Sequence, residues 1–303
     1  MQAALDLRSV TSVFNVSLTY GQPVICIYAM ALAYIDGTPF WYNVSGDNGT
    51  PVILIMGFAT RGNAWDTQIK GLEGDHQVMW YDHRGIGESG QPNPVFGMKD
   101  MARDVVGLMD TKQWRAAHVV GISMGGMVAQ EVALEYGHRV RSLSLIATTA
   151  GGHRGNVAVI PGVPKLAKCF LGTPKSRIRA FKRTLFPDSF IATKDNDWFR
   201  SLLRRDFNGH PSLVDLVAQG NACRAHDTAK RLHRLRGLPT LVVCPEQDVV
   251  IHASESRRLA RLIPGAHLMK FSDAGHGVNW QYADILNEAL LSHFEAADAR
   301  FAA

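Results

Sequence analysis

Cysteine is scarce in this chain: four residues, Cys26, Cys169, Cys223 and Cys244, are scattered over 303 positions. They form no C-x-x-C pair, which argues against a thiolate zinc site or a redox dithiol and indicates no disulfide framework. Free thiols are the simpler reading, in keeping with a reducing compartment. Long clean apolar runs are also missing, so no segment reads as a bilayer-spanning helix. There is no internal repeat and no low-complexity linker. Charge is modest, at 19% of residues against 46% apolar, the balance of a globular chain with a sizeable core. The length suits one large α/β domain with an insertion, or two small domains.

Charge is absent altogether from Ser9 to Ile35. With Arg8 ahead of it and Ala31-Leu32-Ala33 near its end, this stretch has the outline of a secretory signal. Asn15, Ser17, Gly21, Gln22 and Pro23 interrupt it, however, and no compact apolar segment remains. Residues 1–29 therefore read as an extension ahead of Met30, unstructured or non-native. The expected location is cytoplasmic, with secretion as the competing reading.

Beyond Met30, short apolar runs alternate with helical patterns. A hairpin is expected over 31–44, turning at Asp36-Gly37. PVILIM (51–56), QVMWYD (77–82), AHVVGI (117–122), SLSLIA (142–147), PTLVVC (239–244) and HLMKF (267–271) suit strands buried on both faces. Residues 98–110, 124–136, 253–263 and 280–294 carry helical spacing. The expected class is α/β, a mostly parallel central sheet flanked by helices.

One interval departs from the alternation. Residues 153–236 show helical periodicity without a good strand and are punctuated by Pro161, Pro164, Pro174, Pro187 and Pro211. They read as a helical cap inserted after the sixth strand, with 30–152 and 237–303 as the core. This interval holds 17 basic and 6 acidic residues. Such a cap suits an anionic substrate or an acidic carrier, or is simply a solvated helical surface. Nucleic-acid binding is not expected, because no recognition motif or stacking platform accompanies the charge.

The sharpest local pattern is Gly121-Ile122-Ser123-Met124-Gly125-Gly126, placed between a strand and a helix. In that setting G-x-S-x-G describes a tight turn that lifts a serine hydroxyl clear of a sheet. Positions two before and two after the serine come close together, and Gly121 and Gly125 remove the side chains that would collide. The helix after the turn aims its positive end and free N–H groups at the hydroxyl.

A serine needs a base, and the base needs an orienting group. Asp248 comes after the strand PTLVVC, and His276 after HLMKF, so both stand at the strand edge where Ser123 stands. Among twelve histidines, His83, His252 and His267 occupy other positions. Asp273 is the rival acid, three residues from His276, and also suits loop capping. An oxyanion site requires two backbone donors. Met124 N–H supplies one. Phe58 N–H, in Met56-Gly57-Phe58-Ala59 after the third strand, is expected to supply the other.

From about residue 31 to 296 the chain resembles the α/β-hydrolase superfamily. MGFATRGNAWDTQI, YDHRGIGESG, HVVGISMGGMVAQEVAL, LPTLVVCPEQDVVI and FSDAGHGVNW carry the likeness. The nearest resemblance is to small esterases of the enol-lactone hydrolase and aclacinomycin methylesterase-like group. It implies Ser123 as nucleophile, His276 as base and Asp248 as its orienting acid. The family's Asp-x-Arg-Gly-x-Gly-x-Ser loop appears as Asp82 to Ser89 and reads as a structural clamp. Met56 stands where many members carry histidine, a position that backbone donors do not depend on.

The implied activity is cleavage of a small carboxylic ester or lactone through an acyl-enzyme, with neither metal nor organic cofactor required. Perhydrolase or haloperoxidase chemistry and carbon–carbon hydrolysis run on the same three residues. A hydrolase-fold receptor that binds without turnover is the alternative of another class. Phe181, Phe186, Phe190, Trp198 and Phe199 are candidates for an acyl pocket or for plain core. Cap arginines are candidates for binding a substrate carboxylate.

Overall fold

A computed structural model of the chain describes residues 31–91, 93–159, 162–170, 172–207 and 211–302. Cys26, Met30 and the N-terminal extension lie outside the described residues, while Cys169, Cys223 and Cys244 are free thiols. Eight strands form one sheet: β1 (Ala31–Ile35), β2 (Thr38–Ser45), β3 (Pro51–Ile55), β4 (Gln77–Tyr81), β5 (Ala117–Ile122), β6 (Val140–Ile146), β7 (Thr240–Pro245) and β8 (His267–Phe271). Their order is β1-β2-β4-β3-β5-β6-β7-β8. The first two strands run antiparallel to their neighbours, and every pairing from β4 onward is parallel. Asp36 and Gly37 both take positive φ, 48° and 78°, as the two-residue turn of the β1–β2 hairpin requires.

The helices of the core are α1 (Asp66–Leu72), α2 (Met98–Thr111) and α3 (Met124–Glu135). Between β6 and β7 come α4 (Gly152–Val159), α5 (Val163–Phe170), α6 (Pro174–Leu185), α7 (Asp188–Ile191), α8 (Asn196–Asp206) and α9 (Leu213–Ala225). The chain ends with α10 (Ser254–Leu262), α11 (Val278–Gln281) and α12 (Ala283–Ala302). None of the described helices is long and apolar enough to cross a membrane.

Strand alternation sorts the core into two layers. Ile53, Ile55, Val119, Leu143 and Leu145 pack with residues of α2, α3 and α10. Val52, Leu54, Val120, Ile122 and Ile146 pack with Leu72 of α1 and with Leu286, Leu290 and Phe294 of α12. Both faces of β3 to β7 are thus covered, which is why these strands read as continuous apolar runs instead of alternating ones. At the sheet edge β8 is largely exposed, contrary to the reading of HLMKF as buried on both faces. Helix α3 lies buried from Met124 to Leu134, so it shows no amphipathic stripe.

One helix expectation also needs correction. The pattern over 280–294 is not one helix: Tyr282 leaves the helical region at φ −125°, ψ 43° and separates α11 from α12. The residues at the break serve a loop instead. Gln281 Nε2 donates to Asp273 O at 2.8 Å, its Oε1 accepts from Gly275 N at 3.1 Å, and Tyr282 OH donates to Asp273 Oδ1 at 2.5 Å. The aromatics between β6 and β7 follow the plain-core reading instead of the pocket one. Phe181, Phe186 and Phe199 are buried together with Phe207, and Phe190 and Trp198 pack against them.

Candidate active site

The strand-to-helix turn after β5 puts Ser123 at φ 57°, ψ −122°. This is a strained conformation for a residue with a Cβ, and it persists only where its surroundings hold it. They do so on both sides. Ser123 N donates to Ile146 O at 2.9 Å, and Ser123 O accepts from Thr148 Oγ1 at 2.7 Å and from Gly126 N at 3.0 Å. The two glycines permit the close approach. A Cβ at Gly121 would lie 2.3 Å from Gly125 O, and one at Gly125 would lie 2.1 Å from Ile55 O. Gly125 therefore lets α3 start directly against the end of β3, where the Met56–Ala59 loop begins.

His276 sits in the loop between β8 and α11, with Nε2 3.0 Å from Ser123 Oγ. Its Nδ1 is 2.7 Å from Asp248 Oδ2. The other carboxylate oxygen accepts from Val250 N at 2.7 Å and Ile251 N at 2.9 Å, which fixes the carboxylate's orientation. A carboxylate facing Nδ1 places the proton of a neutral imidazole there, leaving the Nε2 lone pair toward the serine hydroxyl. His276 and Asp248 are both buried. The rivals stand elsewhere: Asp273 binds Tyr282 OH, His252 pairs with Ser254 Oγ, and His267 begins exposed β8.

The Met56–Ala59 loop runs close to the serine: a Cβ on Gly57 would be 3.2 Å from Ser123 Cβ. Three contacts hold it. His83 Nε2 donates to Met56 O at 2.8 Å, Thr60 Oγ1 to Phe58 O at 2.9 Å, and Ala59 N to Gln219 Oε1 of α9 at 2.9 Å. Burial pushes the His83 imidazole down to about 4, so it remains a neutral donor at physiological pH. Neither Phe58 N–H nor Met124 N–H has an acceptor among the described residues. Two free amides thus belong to the segments that meet at the hydroxyl.

The Asp82–Ser89 loop is held by hydrogen bonds. Asp82 is fully buried and accepts from Gly62 N at 2.8 Å and Arg61 Nε at 3.2 Å; Ser89 Oγ donates to Asp82 O at 2.7 Å. Burial raises the Asp82 carboxyl, while Arg61 and the Gly62 and Glu88 amides act against that shift. None of these contacts reaches the serine.

Ser123 and His276 open into a narrow cleft with a volume of about 40 Å³. Its walls are Met56, Gly57, Phe58, Thr60, Ile122, Leu166, Leu185, Phe207, Asn279 and Trp280. Sequence reasoning missed most of this lining. The five aromatics between β6 and β7 named as pocket candidates are not among it; Phe207 and Leu185, of the same cluster, are. Asn279 and Trp280 carried a signal in standing three and four residues after His276. Leu166, Leu185 and Phe207 carried none. No Lys or Arg lies among the lining residues. Some arginines of 153–236 are already paired: Arg205 lies between Asp206 and Asp66, and Arg231 binds Glu131 and Glu135.

Comparison with known proteins agrees with this architecture. A relative from Azorhizobium caulinodans named "Putative carbamate hydrolase RutD" is 30% identical over 263 residues, covering 86% of this chain and 97% of the relative. The crystal structure of a hydrolase from Pseudomonas aeruginosa matches with a TM-score of 0.74 at 26% identity, over 87% of this chain and 97% of that one. The enol-lactonase from Burkholderia xenovorans matches in fold with a TM-score of 0.76 at 24% identity, over 87% and 99%. The profile of the alpha/beta hydrolase fold family covers residues 50–282. With its eight-stranded sheet, its helices on both faces and a match over most of its length, the chain belongs to the α/β-hydrolase family.

Proposed function

We propose that the protein is a serine hydrolase that cleaves a carboxylic ester or lactone by way of an acyl-enzyme. The observation that carries this reading is the unbroken series Ser123 Oγ, His276, Asp248, at 3.0 and 2.7 Å, beside two free backbone amides. In this reading residues 30–152 and 237–303 are the catalytic core, and 153–236 cap the cleft.

Ser123 attacks the substrate carbonyl as His276 Nε2 takes its proton. Asp248 stabilises the imidazolium and keeps the ring oriented. The oxyanion is received by the Phe58 and Met124 amides, an interaction worth about 3 kcal/mol per donor in comparable sites. His276 then protonates the leaving alcohol, and water repeats the sequence on the acyl-enzyme. A carbamate, the substrate class in the Azorhizobium relative's name, presents the same carbonyl to the same groups.

The test is turnover of short p-nitrophenyl esters, simple lactones and aryl carbamates by wild type and Ser123→Ala, with labelling by a fluorophosphonate probe. Wild-type turnover and labelling, both lost in Ser123→Ala, support the reading. A folded wild type that neither turns over any of them nor labels would be a binding protein instead. Adding peroxide to the panel separates perhydrolysis.

A further inference from the structure

Asn279, three residues beyond His276 on α11, lines the same cleft as Ser123 and is fully buried. Its backbone is anchored, since its carbonyl accepts from Gln68 Nε2 of α1 at 2.9 Å. Its carboxamide is not: neither Oδ1 nor Nδ2 has a hydrogen-bond partner among the described residues. Trp280, the next residue, also lines the cleft, and its indole Nε1–H is likewise buried and unpartnered. The opposite character prevails around them, in Met56, Ile122, Leu166, Leu185 and Phe207.

Nothing in the proposed acyl transfer uses these groups. An unpaired amide in a low-dielectric wall costs free energy in the free protein. A few convergent polar groups in an otherwise apolar cleft are how binding sites orient and select ligands. A carboxamide offers both a donor and an acceptor, and the indole adds a second donor.

We infer that Asn279 and Trp280 form a polar subsite for a substrate group that both donates and accepts, a hydroxyl or an amide, carried near the scissile carbonyl. The substrate class is therefore a short ester or lactone with a second hydrogen-bonding function, not a plain fatty acyl ester. A site built to bind such a group rejects the analogue lacking it more strongly than an apolar pocket distinguishes chain lengths.

This inference rests on the hydrolase reading, and its test keeps the two apart. Two ester pairs are compared: p-nitrophenyl 3-hydroxybutanoate against p-nitrophenyl butanoate, and 2-hydroxyethyl butanoate against ethyl butanoate. Wild type is expected to prefer the hydroxylated member of at least one pair in kcat/KM. Asn279→Leu, near in size but apolar, lowers that preference by about tenfold or more. Trp280→Phe, which removes only the N–H and part of the ring, lowers it less; it serves alone if Asn279→Leu does not fold, as judged by thermal melting. Ratios unchanged from wild type in the folded variants overturn the subsite while leaving the hydrolase reading intact. A wild type that turns over no ester overturns both.

Discussion

The amide of Gly277, next to His276, donates to the carbonyl of Leu185 at 2.8 Å, so the end of inserted helix α6 holds the histidine loop. A Cβ at Gly277 would lie 2.8 Å from the Phe186 ring, and one at Gly275 would lie 2.5 Å from Leu185 O. The insertion and the loop fit only without side chains there. Gly277→Ala is expected to lower kcat/KM for a p-nitrophenyl ester by about tenfold or more, since small misplacements of a reacting group are costly. Steady-state kinetics beside a melting curve checks this. Unchanged kinetics would mean that the contact with α6 does not position His276.

Ser123 stores backbone strain at φ 57°, ψ −122°. Glycine relieves it and alanine does not, although both remove the hydroxyl. Ser123→Gly should therefore be more stable than Ser123→Ala by about 1 kcal/mol, after allowing for the larger unfolded-state entropy of glycine. Urea denaturation of the two inactive variants measures the difference. Equal stability would show that the turn is not strained.

Asp248→Asn keeps an oxygen for the Val250 and Ile251 amides but turns an N–H toward His276 Nδ1, favouring the wrong tautomer. Turnover is expected to fall by about 10⁴-fold, as in the serine protease whose triad shows this effect, with the fold retained. Circular dichroism and stopped-flow esterase assays provide the check. A fall of less than tenfold would remove Asp248 from the mechanism.

Gly125→Ala would set a methyl group 2.1 Å from Ile55 O and 2.5 Å from Met56 O, both backbone atoms with little room to yield. It is expected to destabilise the protein by at least about 2 kcal/mol, as overpacking does. It should also disturb the Phe58 amide, because the displaced atoms begin that loop. Denaturation midpoints and activity are expected to fall together.

His83 gives a pH dependence whose sign comes from burial. Its folded value is about 4, against about 6.5 in an unfolded chain. Between these values the unfolded chain binds more protons, so stability rises with pH through this window and is lost as pH falls from about 6.5 toward 4. At pH 5 this histidine alone accounts for about 2 kcal/mol of that loss. His83→Gln, which keeps a neutral donor for Met56 O, should lose that much less stability than wild type between pH 7.5 and pH 5. Guanidinium titrations at the two pH values measure it; parallel losses would exclude the buried neutral imidazole.

Much of the scaffold was legible in the chain because strands buried on both faces leave unbroken apolar runs, as in PVILIM and AHVVGI. The hairpin was legible because its two turn positions need positive φ, which Asp-Gly supplies. Periodicity failed at Tyr282, where a helical pattern continues but side chains of the break are drawn to Gly275 and Asp273. Local spacing does not register such distant partners.

The amino-acid order by itself determined where a sharp strand-to-helix turn must form, since only glycines flanking Ser123 let the backbone close. It also determined which acid and histidine come after the last two strands. Tertiary structure alone decided that Phe181, Phe186 and Phe199 pack on one another while Leu166, Phe207, Asn279 and Trp280 wall the cleft. The reason is physical: an aromatic side chain buries its area equally well in a cluster or against a ligand. Which of these happens depends on how helices far apart in sequence come together.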